Sequence, residues 1–159
     1  MQLNIAINHM SNLMLLTKEM RMEEIIMFKN AMFWTDSSET LYCRFNNDDS
    51  NSKLNYSEAR LYIKTIVKLC NGKPMPFLID VQNTRGTFSI SAAKLMANNP
   101  ELLKLRISEA FIANTIGVRV LISTYKRIFN PITPFGVFSN LESAKKYSLE
   151  MKNMFYGSN

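Results

Sequence analysis

Met75 to Val81 read Met-Pro-Phe-Leu-Ile-Asp-Val, an almost continuous apolar run of strand length. A run of this kind, without alternating polar residues, is typical of a central strand that is covered on both faces of a sheet. Gly72 and Pro74 stand just before it and would end any helix that approaches from upstream. The segment therefore predicts a buried strand at the centre of an α/β sheet.

Asn55 to Leu69, directly upstream, has the clearest helical pattern of the chain. Asn55 is followed three residues later by Glu58, which is a variant of the capping box that begins many helices. Apolar side chains then recur at helical spacing and would form one face of an amphipathic helix. These side chains are Ala59, Tyr62, Ile63, Ile66, Val67 and Cys70.

Two segments near the start of the domain have strand character. Ile25 to Trp34 and Thr40 to Phe45 are rich in large residues, and Asp36-Ser37-Ser38 between them is a turn signal. Because the link is short, we expect the two strands to pair antiparallel as a hairpin.

Downstream of the central strand, strands and helices are expected to alternate. Crossovers through helices make successive strands parallel, with right-handed connections. The predicted elements are a helix capped by Ser89 or Ser91 and broken at Asn98-Asn99-Pro100, a strand over Arg106 to Ala113, a helix capped by Asn114 or Thr115, a strand over Thr133 to Phe138, and a last helix capped by Ser139 or Asn140. The β-branched content of the segment after Thr115 also permits a strand there.

The resulting order, β-β-α-β-α-β-α-β-α, predicts a single α/β domain with a mixed sheet of four or five strands. The chain has 159 residues, which is enough for one domain with a real hydrophobic core. We place this domain at residues 25–152. Residues 1–24 are expected to be an N-terminal arm, either disordered or an extra helix, and residues 153–159 a C-terminal tail.

Several local segments are informative together with this order. They are Gly72 to Asp80, Ala92-Ala93-Lys94, Ala113-Asn114-Thr115, Asn130 to Phe138 and Glu142-Ser143-Ala144. The order and these segments resemble the STAS domain, the SpoIIAA-like fold of sulfate-transporter tails and anti-sigma-factor antagonists. The resemblance covers roughly Glu24 to Lys152 and is nearest to a family of small uncharacterised STAS-like proteins common in Bacteroidota. It implies a regulatory or protein-binding module of unknown pathway, and a homodimer is one of the assemblies that stay open.

In true antagonists, a serine in an Asp-Ser-Ser-Gly signature is phosphorylated at the start of a helix that follows a strand. This chain has Asp80 at the strand end and Ser89 and Ser91 near the helix start, but it lacks that signature. The resemblance therefore implies Ser89 or Ser91 as a candidate phosphorylation site, while the alternative is that each serine only caps the helix.

The residue types needed for common catalytic and metal sites are scarce. The chain has one histidine, His9, and two cysteines, Cys43 and Cys70, which are far apart in the sequence. A zinc site or a nucleophile activated by imidazole is hard to build from this set. We therefore expect no enzymatic activity, no cofactor and no metal site, and we expect the two cysteines to be buried and unpaired.

Charge and hydropathy argue against nucleic-acid and membrane-spanning roles. The net charge is only +6, and the basic residues are spread along the chain. Arg119, Lys126 and Arg127 fall near one face of a predicted helix, which we interpret as a solvated face. No window approaches the roughly 20 apolar residues of a spanning helix, and the N-terminus lacks the features of a secretory signal. The expected location is the cytoplasm.

A candidate site follows from the order of the elements. Ligands of open α/β sheets gather at the carboxyl ends of parallel strands, where helix N-termini present free N–H groups. Two such junctions, residues 80–91 and 114–119, are expected to lie close together and to form a surface for an anion or a partner. The alternative is that most of these groups only cap helices. The candidate residues are Asp80, Arg85, Ser89, Ser91, Asn114, Thr115 and Arg119.

Two functions remain open at this point. The first is a regulatory module that binds a protein partner, whose identity is unknown, or a second copy of itself. The alternative is a small domain that binds an anionic ligand or a lipid, because the STAS fold also resembles carriers of that kind. A deep apolar pocket with Arg85 or Arg119 at its mouth would favour the ligand, and a flat apolar patch would favour the protein partner.

Overall fold

The structure, a computed structural model, describes residues 23–157. His9 and all but the last two residues of the predicted N-terminal arm therefore lie outside the described residues. The elements are β1 (Ile26–Met27), β2 (Ala31–Thr35), β3 (Leu41–Asn47), β4 (Lys53–Leu54), α1 (Tyr56–Cys70), β5 (Met75–Thr84), β6 (Thr87–Phe88), α2 (Ile90–Asn98), α3 (Pro100–Leu105), β7 (Arg106–Ile112), α4 (Ile116–Phe129), β8 (Phe135–Phe138) and α5 (Leu141–Tyr156).

Six strands form one mixed sheet in the order β1-β2-β3-β5-β7-β8. The first three strands pair antiparallel, and β3, β5, β7 and β8 pair parallel. The α/β class and the hairpin are thus confirmed. The sheet has six strands instead of four or five because the predicted first strand is divided by a turn in which the Phe28 N–H donates to the Ala31 carbonyl, at 2.7 Å.

The central strand lies where the apolar run predicts it. β5 pairs with β3 on one side and β7 on the other. Side chains alternate between its two faces: Phe77 packs in the cluster that contains Tyr62 of α1, whereas Leu78 packs with Ala144 of α5. The helices α1, α2 and α4 therefore lie on one face of β5 and α5 lies on the other.

The helix N-termini follow the predicted capping chemistry. Asn55 and Glu58 form a reciprocal capping box at the start of α1. The structure selects Ser89, Thr115 and Asn140 as the N-caps of α2, α4 and α5. Each of these three side chains accepts a hydrogen bond from the backbone N–H three residues later, which supplies a partner for one of the free donors at a helix start.

Three features differ from the prediction. Asn99 ends α2 but also begins α3, because its side chain accepts hydrogen bonds from the N–H groups of Glu101 and Leu102. The strands β4 and β6, which are absent from the predicted order of elements, pair in parallel and form a separate two-stranded sheet. The last helix continues to Tyr156, past the expected boundary at residue 152, and the Tyr156 hydroxyl donates to the Pro74 carbonyl at 2.6 Å.

The two cysteines, Cys43 and Cys70, are buried and unpaired, as predicted. No helix in the described part of the chain is both long enough and apolar enough to cross a membrane.

Candidate ligand-binding pocket

A cavity of about 330 Å³ lies between the sheet and the helices α1, α2 and α4. Aromatic and aliphatic side chains from both layers make up most of its wall. Those from the sheet include Phe45, Phe77 and Ile79, and those from the helices include Ile66, Met96 and Ile122.

The alternation of β5 and the small residues of α2 together produce this space. Phe77, Ile79 and Val81 are two residues apart, so they point to the same face and line the cavity. On the opposite wall, the inner side of α2 carries Ala92 and Ala93, which are almost fully buried. Because alanine has only a methyl side chain, α2 stays close to its neighbours but does not fill the space above the sheet.

The rim of the cavity is formed by the loop that follows β5. Arg85 is exposed there and lines the cavity. Gly86 must be a glycine in this conformation, since a Cβ atom would lie 2.9 Å from the backbone oxygen of Ser52. The Phe88 ring, in β6, contacts the edge of Tyr125 from α4, with 5.4 Å between the ring centroids. The pairing of β4 and β6 thus fixes the loop against the helices.

Three charged side chains are buried at the inner wall. Arg106 and Glu109 line the cavity. Lys126 of α4 does not line it but forms an ion pair with Glu109. A Glu109 carboxylate oxygen lies 3.2 Å from Nη1 of Arg106, and the other lies 2.6 Å from Nζ of Lys126. Arg106 also donates to the carbonyls of Met96 and Ala97, both at 3.1 Å, and so joins β7 to the end of α2.

The burial of Lys126 corrects the prediction that it belongs to a solvated helix face. Its side chain is 1% exposed. Burial lowers the pKa of Lys126, and the neighbouring Glu109 carboxylate opposes this shift. The basic spacing on α4 could not reveal the buried position, because the partner that pairs with Lys126 comes from a distant strand.

A sequence signal for this cluster did exist. Arg106 and Glu109 stand three residues apart in a segment that was itself predicted to be a strand of the sheet. Charged groups in a buried strand must be paired, since removing them from water without a partner is costly. The same reasoning predicts a charged partner opposite them, but it does not predict which residue that partner is.

The predicted site residues do not form one cluster. Asp80 lies on the α5 face of the sheet, in contact with Arg44 at 3.4 Å, and its carboxylate accepts a hydrogen bond from the Gln82 N–H. Arg85 lies at the cavity rim on the other face. The alternation of side chains along β5 separates the two positions, because Asp80 shares a face with Leu78 and not with Ile79.

The other predicted residues lie near helix starts. Ser89 and Thr115 are N-caps, and the Ser91 hydroxyl lies 3.1 Å from that of Ser89. Asn114 is exposed, and Arg119 is half-buried outside the cavity wall. Only Arg85 among the predicted site residues lines the cavity.

The comparisons with known proteins agree with this architecture. A family model described as Domain of unknown function (DUF7793) matches residues 33–152. The chain belongs to the DUF7793 family. Comparison with curated proteins returned no match.

Among solved structures, this DUF7793 chain is similar to an uncharacterised protein of the DUF3478 family with a SpoIIAA-like fold, from Shewanella loihica PV-4. The TM-score is 0.50 and the sequence identity is 16%, over 79% of this chain and 91% of the other. At this identity the likeness concerns the fold alone. The predicted STAS-like, SpoIIAA-like fold is confirmed.

Proposed function

We propose that this DUF7793 domain is a non-catalytic, STAS-like module that binds a small and mainly apolar ligand in the cavity above β5. The observation that carries the proposal is the cavity itself, about 330 Å³ in volume and lined mostly by apolar side chains. Protein interiors are close-packed and contain few voids larger than a water molecule. Small-molecule sites, in contrast, are apolar clefts of roughly 300–1,000 Å³ with a few polar groups.

The chemistry of the wall supports binding instead of catalysis. Cys43 is the thiol that lines the cavity, and burial raises the pKa of that thiol well above its ordinary value. A thiol is a poor nucleophile while it is protonated. Both carboxylate oxygens of Glu109 are already engaged, one by Arg106 and the other by Lys126.

The proposal is tested by filling the cavity from α4. Val118 lines the cavity and is half-buried, whereas Val120, two residues later, is 59% exposed and lies outside the wall. We expect Val118→Phe to weaken binding of the uncharged fluorescent probe N-phenylnaphthylamine about tenfold, roughly 1.4 kcal/mol. Val120→Phe adds the same ring outside and should leave the dissociation constant unchanged. Equal affinity in both variants, or no binding to the parent chain, would contradict the proposal.

The second candidate is the protein-binding role, with a second copy of the chain as partner. It is favoured by the outer side of α4, where Ile116 and Val120 are 82% and 59% exposed, one helical turn apart. Sedimentation velocity tests it: a dimer of the parent chain that becomes a monomer in Val120→Glu supports this role. A parent chain that remains monomeric at all concentrations excludes it.

A further inference from the structure

The guanidinium of Arg106 has one nitrogen without a partner. Its two Nη atoms are engaged by Met96, Ala97 and Glu109, but its Nε is buried and has no hydrogen-bond partner among residues 23–157. A buried donor without an acceptor costs about 1–3 kcal/mol, and more when it is charged. Arg106 is also one of the residues that line the cavity, so a ligand bound there lies next to this guanidinium.

Within the described part of the chain, the positive charge of the inner wall is not fully compensated. Two buried cations, Arg106 and Lys126, share the single carboxylate of Glu109. Glu58 and Arg85, the other charged residues of the wall, are of opposite sign, and Glu58 is already engaged by the backbone N–H of Asn55. Uncompensated charge is expensive in a site with little water, because electrostatic interactions there are weakly screened. One added negative charge would balance the cluster.

The position of Arg106 gives the ligand a direction. Arg106 pairs with Met75, which is the first residue of β5. Arg85 directly follows Thr84, which is the last residue of β5. Between these ends, the β5 side chains that face the cavity are those of Phe77, Ile79 and Val81, which are all apolar. Phe77 and Val81 are four residues apart, which is about 13 Å along the strand. A ligand with its charge at the Arg106 end would therefore lay an apolar chain along β5 toward the rim.

We infer that the ligand is a single-chain amphiphile, an aliphatic carboxylate whose head group lies at the inner wall and accepts a hydrogen bond from Nε of Arg106. The inference rests on the proposed function and specifies its ligand. A carboxylate carries one negative charge and only acceptor atoms, which matches one excess positive charge and one free donor. Exposed Arg85 is left at the rim, beside the far end of the chain.

Competition at equilibrium tests this assignment. Dodecanoate and dodecanol have the same chain length and differ in the head group, and each is used to displace N-phenylnaphthylamine from the full chain. We expect dodecanoate to bind at least about tenfold more tightly than dodecanol. If both compete equally, the carboxylate assignment is wrong while the proposed function stands. If neither competes and the probe itself does not bind, the proposed function fails.

Variants of the charged cluster then locate the head group. Glu109→Gln keeps the shape and removes the negative charge, so the preference for dodecanoate should increase. Lys126→Gln removes one cation and should reduce the preference toward parity, whereas Arg127→Gln, on the exposed neighbouring residue, should leave it unchanged. A preference lost in Arg85→Gln and kept in Lys126→Gln would place the head group at the rim and overturn the inference.

Discussion

Ser89 and Ser91 are two residues apart but have different environments. The Ser89 hydroxyl is half-buried and accepts a hydrogen bond from the Ala92 N–H at 3.1 Å. Ser91 is exposed, and it lies inside the first turn of α2. A side chain that caps a helix satisfies a backbone donor, whereas a serine at the second helical position does not cap the helix.

Replacing each serine by alanine should therefore have unequal effects. We expect Ser89→Ala to lower the free energy of unfolding by about 1 kcal/mol, as is usual for the loss of an N-cap. Ser91→Ala is the matched control and should change it by less than about 0.5 kcal/mol. Urea unfolding followed by circular dichroism measures both. Equal losses would mean that the cap contributes nothing specific.

The same contrast bears on phosphorylation, which remains a prediction. Ser91 is the more accessible hydroxyl, and a phosphate there would lie at a helix N-terminus, which stabilises negative charge. It would not lie beside Asp80, which is on the other face of the sheet. Mass spectrometry of the protein from its own cells tests the prediction, and finding no phosphopeptide at Ser89 or Ser91 would leave only the capping role of Ser89.

At the scale of elements, the turn between β5 and β6 depends on one glycine. A Cβ atom at Gly86 would lie 2.9 Å from both the Ser52 carbonyl oxygen and the Asn47 side-chain nitrogen. We expect Gly86→Ala to separate β4 from β6, to lower the melting temperature and to weaken probe binding, because this pairing forms the rim.

Gly117, in the first turn of α4, is the matched control for that variant. It also lines the cavity, but apart from its chain neighbours and the adjoining helix backbone no atom of residues 23–157 lies within 4 Å of a Cβ atom built on it. Alanine is favoured over glycine in a helix by roughly 0.5–1 kcal/mol, so Gly117→Ala should raise the melting temperature slightly. Two variants that melt alike would show that the close contact at Gly86 is relieved at no cost.

The sequence carries the elements that have strong local patterns. The capping box of Asn55 and Glu58 and the apolar run from Met75 each determine an element from short-range chemistry, and both elements form as predicted. β4 and β6 are two residues each, so they have no periodicity of their own and exist only through pairing across the chain. α3 is short and begins directly at Pro100, the residue expected only to break the preceding helix.

The candidate site was less predictable, because it depends on packing between layers. Arg85 was predicted from its place after the central strand, and it does line the cavity. Lys126 was assigned to a solvated face because helical spacing alone cannot show that a neighbouring strand supplies a carboxylate. The cavity depends on the small size of Ala92 and Ala93 opposite β5, which becomes apparent only when the two layers are placed together.

At the scale of the whole molecule, Glu39 connects three distant segments. Its carboxylate accepts a hydrogen bond from Lys73, just before β5, and forms an ion pair with Lys152 of α5 at 3.0 Å. The hydrogen bonds from Lys73 and Lys152 hold the pKa of Glu39 below its ordinary value. A carboxyl group with a lowered pKa stabilises the fold above its unfolded-state pKa and loses that contribution as the pH falls through the folded-state value.

Acid titration of stability should therefore distinguish Glu39→Gln from the parent chain. At neutral pH the variant should be less stable, because the charged contacts to both lysines are lost. The difference should shrink as the pH is lowered below the ordinary glutamate range, where the parent carboxyl becomes protonated as well. Melting curves from neutral to acid pH measure this, and a difference independent of pH would show that the charge of Glu39 is not the cause.

The single tryptophan lies on the opposite face of the sheet from the cavity. Trp34 stacks on Tyr42, with ring centroids 5.1 Å apart, and packs with the cluster that contains Ala144 of α5. Its emission thus reports the integrity of the α5 side, while the tyrosines that line the cavity, Tyr62 and Tyr125, are the chromophores that a bound molecule would touch. Loss of the native spectrum of Trp34 signals unfolding, and a change confined to tyrosine signals occupancy, so the chain contains separate optical reporters for the two events.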